Sequence, residues 1–142
     1  MRLYLDTSAA AKLLFDEPES EQLIELCDRS DVELVSTDLL ETELRRLAQR
    51  HGCNQTDVTS RLDRIELYEL TRSSYRDAGL LHGQALRSLD ALHLIGATRL
   101  DVAAVLTYDR RMAGAAIELG LVVLQPGTTV QSIYPGAVAD IA

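Results

Sequence analysis

With 142 residues, 46% apolar and 25% charged, the chain has the size and composition of one globular domain with a real core. No apolar run approaches the ~18 to 20 residues that cross a bilayer, and Asp6 comes too early for a signal-peptide core, so a soluble, cytoplasmic protein without a membrane partner is expected. The formal net charge of −8 argues against a protein that grips nucleic acid through its backbone, unless the acids serve another task and the bases are concentrated locally.

Leu3-Tyr4-Leu5 predicts a first strand, ending at Asp6. A helix follows through Ala9–Phe15, and another starts near Pro18, which suits a first helical turn. Val32–Val35 is a second strand. After it, Ser36, Thr37 or Asp38 can cap a helix that runs to about His51 and stops at Gly52. Asn54–Arg64 reads as helix, Ile65–Leu70 as an alternating strand and Thr71–His82 as helix. Ser88 can cap the helix Leu89–Leu100, and Ala103–Tyr108 is a buried strand. Asp109 opens the helix Arg110–Leu119, closed by Gly120, and Leu121–Leu124 is the last strand. Strands alternating with helices imply βαβ units, hence a three-layer α/β/α sandwich around a mainly parallel sheet. Residues 1–126 form that single domain, and from Gly127 to Ala142 runs a weakly patterned tail, expected to be only partly ordered.

Cys27 and Cys53 lack any zinc-ligand spacing, and His51, His82 and His93 are scattered, so two free thiols and no structural zinc are expected. Carboxylates offer more. In open parallel sheets ligands bind beyond the carboxyl ends of the strands. Asp6 and Asp109 each follow a strand directly and so share one edge of the sheet. A plain N-cap is the alternative for each of them. Asp90 lies in a helix apolar nearly all round, where an ionised carboxylate is costly unless it is paired or binds a metal. The helix dipole offsets only about 0.3 to 1 kcal/mol of that cost, so a cationic partner is expected. Glu43 borders the apolar stripe Leu40, Leu44 and Leu47, with Arg46 and Arg50 on its side of the helix, and a surface Glu–Arg pair is the favoured reading for it alone. Glu41 points to the solvated side.

Lys12, Arg45, Arg46, Arg50, Arg87, Arg110 and Arg111 all lie near a candidate acid or on the helix it opens. A ring of bases about an acidic centre suits an anionic substrate, although scattered surface charge is the plain alternative. Four carboxylates without a thiolate or imidazole cluster select a hard cation, magnesium or manganese. His93, three residues past Asp90, could reach the site, but a core histidine bonded to backbone is the favoured reading.

Leu3-Tyr4-Leu5-Asp6-Thr7-Ser8-Ala9, Glu41-Thr42-Glu43-Leu44-Arg45-Arg46, Leu89-Asp90-Ala91-Leu92-His93-Leu94 and Leu106-Thr107-Tyr108-Asp109-Arg110-Arg111-Met112 together resemble the successive motifs of PIN-domain nucleases. The likeness is greatest to the VapC toxins of type II VapBC toxin–antitoxin systems, and it runs from Met1 to about Pro126. It implies an Mg²⁺- or Mn²⁺-dependent endoribonuclease that hydrolyses RNA phosphodiesters with metal-activated water. By motif, Asp6, Glu43, Asp90 and Asp109 fall on the family's metal-binding acids. Thr7 and Thr107 fall on hydroxyl positions that orient a ligand or water, and Arg46, Arg50 and Arg110 are candidates for phosphate contact. The resemblance further implies a homodimer, a tRNA or ribosomal RNA substrate, and a VapB-like antitoxin whose C-terminal segment, often carrying an arginine, blocks the site. The acidity of this chain departs from that pattern and bears on RNA affinity more than on chemistry. A Rossmann-like phosphatase with an aspartyl nucleophile would want Asp-x-Asp where Asp6-Thr7-Ser8 stands. A non-cutting binding domain is opposed by the presence of all four acids.

Overall fold

The computed structural model describes residues 1–128; the predicted tail lies outside them from residue 129 on. Five strands form one sheet: β1 (Arg2–Leu5), β2 (Glu33–Thr37), β3 (Glu66–Tyr68), β4 (Ala104–Leu106) and β5 (Val123–Leu124). They lie in the order β3-β2-β1-β4-β5, and every pairing is parallel. Seven helices among the described residues connect them: α1 (Thr7–Leu14), α2 (Ser20–Cys27), α3 (Leu39–Arg50), α4 (Gln55–Leu62), α5 (Arg72–Gly79), α6 (Ser88–Arg99) and α7 (Arg110–Glu118).

The central strand β1 explains the layering. Successive strand side chains point to opposite faces. Leu3 and Leu5 join a core with Ala9, Leu13, Leu23, Leu40, Leu44 and Val58, contributed by α1 to α4. Tyr4 points the other way, into a second core with Val35, Leu94, Ala97, Val105 and Met112 beneath α6 and α7. Both faces are covered, so strands can read as continuous apolar runs.

The element types follow the sequence reading; several ends do not. The strand expected over Ala103–Tyr108 is paired only over Ala104–Leu106, and α5 ends at Gly79 rather than His82. Ser36 and Thr37 belong to β2, and Asp38 precedes α3 without a side-chain cap bond. Ser88 is the first residue of α6, and Arg87 takes the cap position. Gly52 (φ +65°) and Gly120 (φ +80°) adopt the left-handed conformation where α3 and α7 stop, as read from the sequence.

The chain builds β1-β2-β3 outward in one direction, then returns to lay β4 on the other side of β1. The gap between the carboxyl ends of β1 and β4 is therefore the topological switch point, where loops diverge and leave a crevice.

Candidate active site

Asp6 leaves the end of β1 and Asp109 is the third residue after β4, so one lies on each lip of the crevice. The Asp6 backbone N–H still donates to the Leu106 carbonyl at 3.2 Å, which locks the two strand ends together. Its side chain is 4% exposed and multiply held. Oδ1 accepts from Ser8 Oγ at 2.6 Å and from the Ala9 N–H at 2.9 Å, capping α1, while Oδ2 accepts from the Thr107 hydroxyl. Thr107, fully buried, also accepts the Asp109 N–H at 3.2 Å. Asp109 in turn caps α7, its Oδ1 accepting from the N–H groups of Arg111 and Met112. The capping alternative and the shared-edge reading are thus both realised in the same two residues.

Glu43 and Asp90 approach from α3 and α6. Among the described residues Glu43 forms no ion pair with Arg46 or Arg50 of its own helix: its Oε1 lies 2.6 Å from His93 Nε2. His93 is buried as expected, but its partners are side chains, not backbone. Nδ1 meets the Tyr4 hydroxyl at 2.6 Å, and Thr7 Oγ1 lies 3.4 Å from Nε2. Asp90 corrects a stronger expectation. The first turn of α6 is not enclosed: Leu89 is 45% exposed and Asp90 half-buried. No lysine or arginine among the described residues forms an ion pair with Asp90. The Arg87 backbone N–H, at the cap position of α6, favours its ionised form.

The electrostatics show that these acids sense one another. Burial pushes the Asp6 carboxyl above its ordinary range, offset in part by hydrogen bonds from Ser8, Thr107 and Ala9 and by His93. The Asp90 carboxyl is also raised, first by burial and then by the negative charge of Asp109, with Glu43 adding to it. A cation brought between them would reverse both shifts, because opposite charge favours the ionised form. The donors are all hard oxygens, the kind that suits Mg²⁺ or Mn²⁺. Among the described residues no group of three or more acids, histidines or cysteines stands close enough to hold a metal ion by itself. Mg²⁺ does not require one, since it keeps several waters and is held through one or two carboxylates. The donor set therefore fits such an ion in kind.

Lys12 and Arg45 are held by partners away from the candidate acids. Lys12 pairs with Glu17 at 2.5 Å and Glu19 at 2.9 Å and sits over the Tyr108 ring. Arg45 binds Glu41, Gln55 and Thr59 and ties α3 to α4. Arg46, Arg50, Arg87, Arg110 and Arg111 are exposed. Sequence reasoning passed over Ser8 and Tyr4. Ser8 donates to Asp6 and accepts the Tyr108 N–H at 2.9 Å, stitching the two loops. Its placement two residues after Asp6 in the first helical turn was the available signal. Tyr4 was hidden inside an apolar strand triplet.

The PIN-domain family profile matches residues 3–118. Curated relatives include Ribonuclease VapC35 of Mycobacterium tuberculosis, 40% identical over 134 residues, covering 88% of this chain and 97% of the relative. Ribonuclease VapC47 of the same species is 34% identical with the same coverage, and Ribonuclease VapC46 is 37% identical over 127 residues, covering 87% and 97%. The crystal structure of M. tuberculosis VapC20, described as a Sarcin-Ricin loop cleaving toxin, superposes with a TM-score of 0.71 at 14% identity, covering 87% of this chain and 99% of that one. A parallel five-stranded sheet with two carboxylates flanking its switch point, a profile match over most of the chain and these relatives agree: the chain belongs to the PIN-domain family, among the VapC proteins.

Proposed function

We propose that the chain is a divalent-metal-dependent endoribonuclease, the toxin of a toxin–antitoxin pair, with Asp6, Glu43, Asp90 and Asp109 as its acidic centre. The observation that carries this reading is the placement of Asp6 and Asp109 on the two lips of the β1/β4 crevice. The relatives' names supply the substrate class, RNA. When bound, Mg²⁺ or Mn²⁺ acidifies water and neutralises charge on a phosphoryl group under in-line attack.

The chain's own residues do the rest. Ser8 and Thr107 fix the Asp6 carboxylate by donating to both its oxygens, and the α1 N-terminus adds a third donor. Asp109 Oδ1 is held by two backbone N–H groups, which leaves Oδ2 directed by the cap. Exposed Arg46, Arg50 and Arg110 are placed on the helices that carry or follow the acids and would meet phosphates flanking the cut. Hydrolysis leaves a 5′-phosphate and a 3′-hydroxyl. A structured RNA, tRNA or ribosomal, is the proposed target, and the acidic surface suits a basic VapB-like antitoxin. Exposed Tyr75, Leu80 and Leu89 on or beside the packed pair α5 and α6 support a homodimer.

The test is cleavage of total RNA by the purified chain with Mn²⁺ or Mg²⁺, with and without chelator. Cleavage is expected with metal and lost with chelator, and Asp6→Asn or Asp90→Asn should each reduce it by two orders of magnitude or more. Undiminished cleavage by both variants would overturn the assignment.

A further inference from the structure

We propose that His93, itself set by Tyr4, is a positioning residue that holds the Glu43 carboxylate at the acidic centre; the proposal rests on the reading of Glu43 as a metal ligand. His93 is 2% exposed, and both its ring nitrogens are taken by side chains rather than by the backbone. An ionised carboxylate only accepts hydrogen bonds, so at 2.6 Å from Glu43 Oε1 the Nε2 atom carries the proton. In that tautomer Nδ1 presents a lone pair, and the Tyr4 hydroxyl, 2.6 Å away, donates to it. The Tyr4 oxygen then accepts from the Thr37 hydroxyl at 3.3 Å. One directed chain of donors runs from Thr37 through Tyr4 and His93 to Glu43, crossing from β2 and β1 through α6 to α3.

This arrangement does what α3 alone cannot. Glu43 is only half-buried, and a long flexible side chain there would otherwise sample solvent. The bond to His93 occupies Oε1 and leaves Oε2, which no hydrogen bond holds among the described residues, for a ligand. Thr7 lies beside the same Nε2 and keeps that end of the ring next to the Asp6 loop. Carboxylate partners of this kind in metal sites change affinity by about 10- to 100-fold when removed.

The experiment compares the full chain with His93→Leu, which has no donor, His93→Gln, which keeps an amide N–H, and Tyr4→Phe. Mn²⁺ binding is measured by calorimetry, folding by thermal melting, and the imidazole tautomer by ¹⁵N NMR on the metal-free chain. The expected result is a Mn²⁺ dissociation constant raised about 10- to 100-fold in His93→Leu, less in Tyr4→Phe, with part of the loss restored in His93→Gln. In a Glu43→Gln background His93→Leu should add nothing further. The parent should show a single Nε2–H tautomer and Tyr4→Phe a mixture. Unchanged Mn²⁺ affinity in folded His93→Leu, or in Tyr4→Phe should the leucine variant not fold, overturns the role. So does an undiminished additional loss in the Glu43→Gln background, or a mixed tautomer in the parent. A parent chain that binds no Mn²⁺ overturns the metal reading itself and the role with it. Normal affinity in His93→Leu beside lost affinity in Asp6→Asn overturns the role alone.

Discussion

Asp6 serves two purposes at once, and they can be separated by substitution. As N-cap it satisfies the Ala9 N–H, and as candidate ligand it offers a buried carboxylate. Asp6→Asn keeps the capping oxygen, while Asp6→Ala removes it, a difference of about 1 kcal/mol for a cap. Both should abolish cleavage, but the alanine variant should melt at a lower temperature than the asparagine one, which differential scanning calorimetry would show. Equal melting temperatures would mean that the cap contributes nothing. The two cysteines offer a second contrast, since both are unpaired. Burial pushes the Cys27 thiol up to about 12, whereas Cys53 is half-exposed. Iodoacetamide at pH 8 should therefore modify Cys53 in the native chain and Cys27 only on unfolding, as peptide mass mapping would reveal. A raised thiol value favours the fold fully below its ordinary value of 9.0, and that contribution is lost as pH climbs from there towards about 12.

At the scale of elements, α6 carries Asp90 and His93 and must lie close against the sheet for its histidine to meet Tyr4. Gly96 permits that approach. A Cβ there would come within 2.5 Å of Thr37 Cγ2 and 3.4 Å of the Tyr4 hydroxyl. Alanine gains roughly 1 kcal/mol of helix propensity over glycine. Overpacking against buried Thr37 costs about 1 to 3 kcal/mol, so the clash should win or cancel that gain. Gly96→Ala is expected to lower stability in urea by up to about 2 kcal/mol and to weaken Mn²⁺ binding through displaced Tyr4; an increase in both would show that α6 has room to move. Element ends also show where local patterns lose force. Arg87, not Ser88, takes the cap position of α6, without a side-chain cap bond, and the β4 strand stops at Leu106, where Thr107 turns inward to Asp6 instead of extending the ladder.

For the whole molecule, the charge of −8 opposes an anionic substrate at long range. Screening that repulsion needs only tens of millimolar salt, where the Debye length falls towards about 10 Å. Cleavage at subsaturating RNA should thus hold or rise as salt goes from about 10 to 100 mM. A steep fall over that range would show that the exposed arginines dominate the field instead. The sequence by itself determined the element types, the parallel α/β class and the presence of Asp6 and Asp109 at strand ends, because hydrophobic period and strand-to-helix junctions are local properties. It also carried the acidic motifs, including Glu43 and Asp90, without showing what each side chain touches. Only the tertiary structure decided that Glu43 pairs with His93, 50 residues away, and not with the arginines on its own helix. It likewise decided that Ser8 joins Tyr108 across 100 residues and that the mouth of α6 is open rather than buried. The reason is the crossover from β3 back to β4, which brings distant loops to one crevice by sheet order, a relation that no local period encodes.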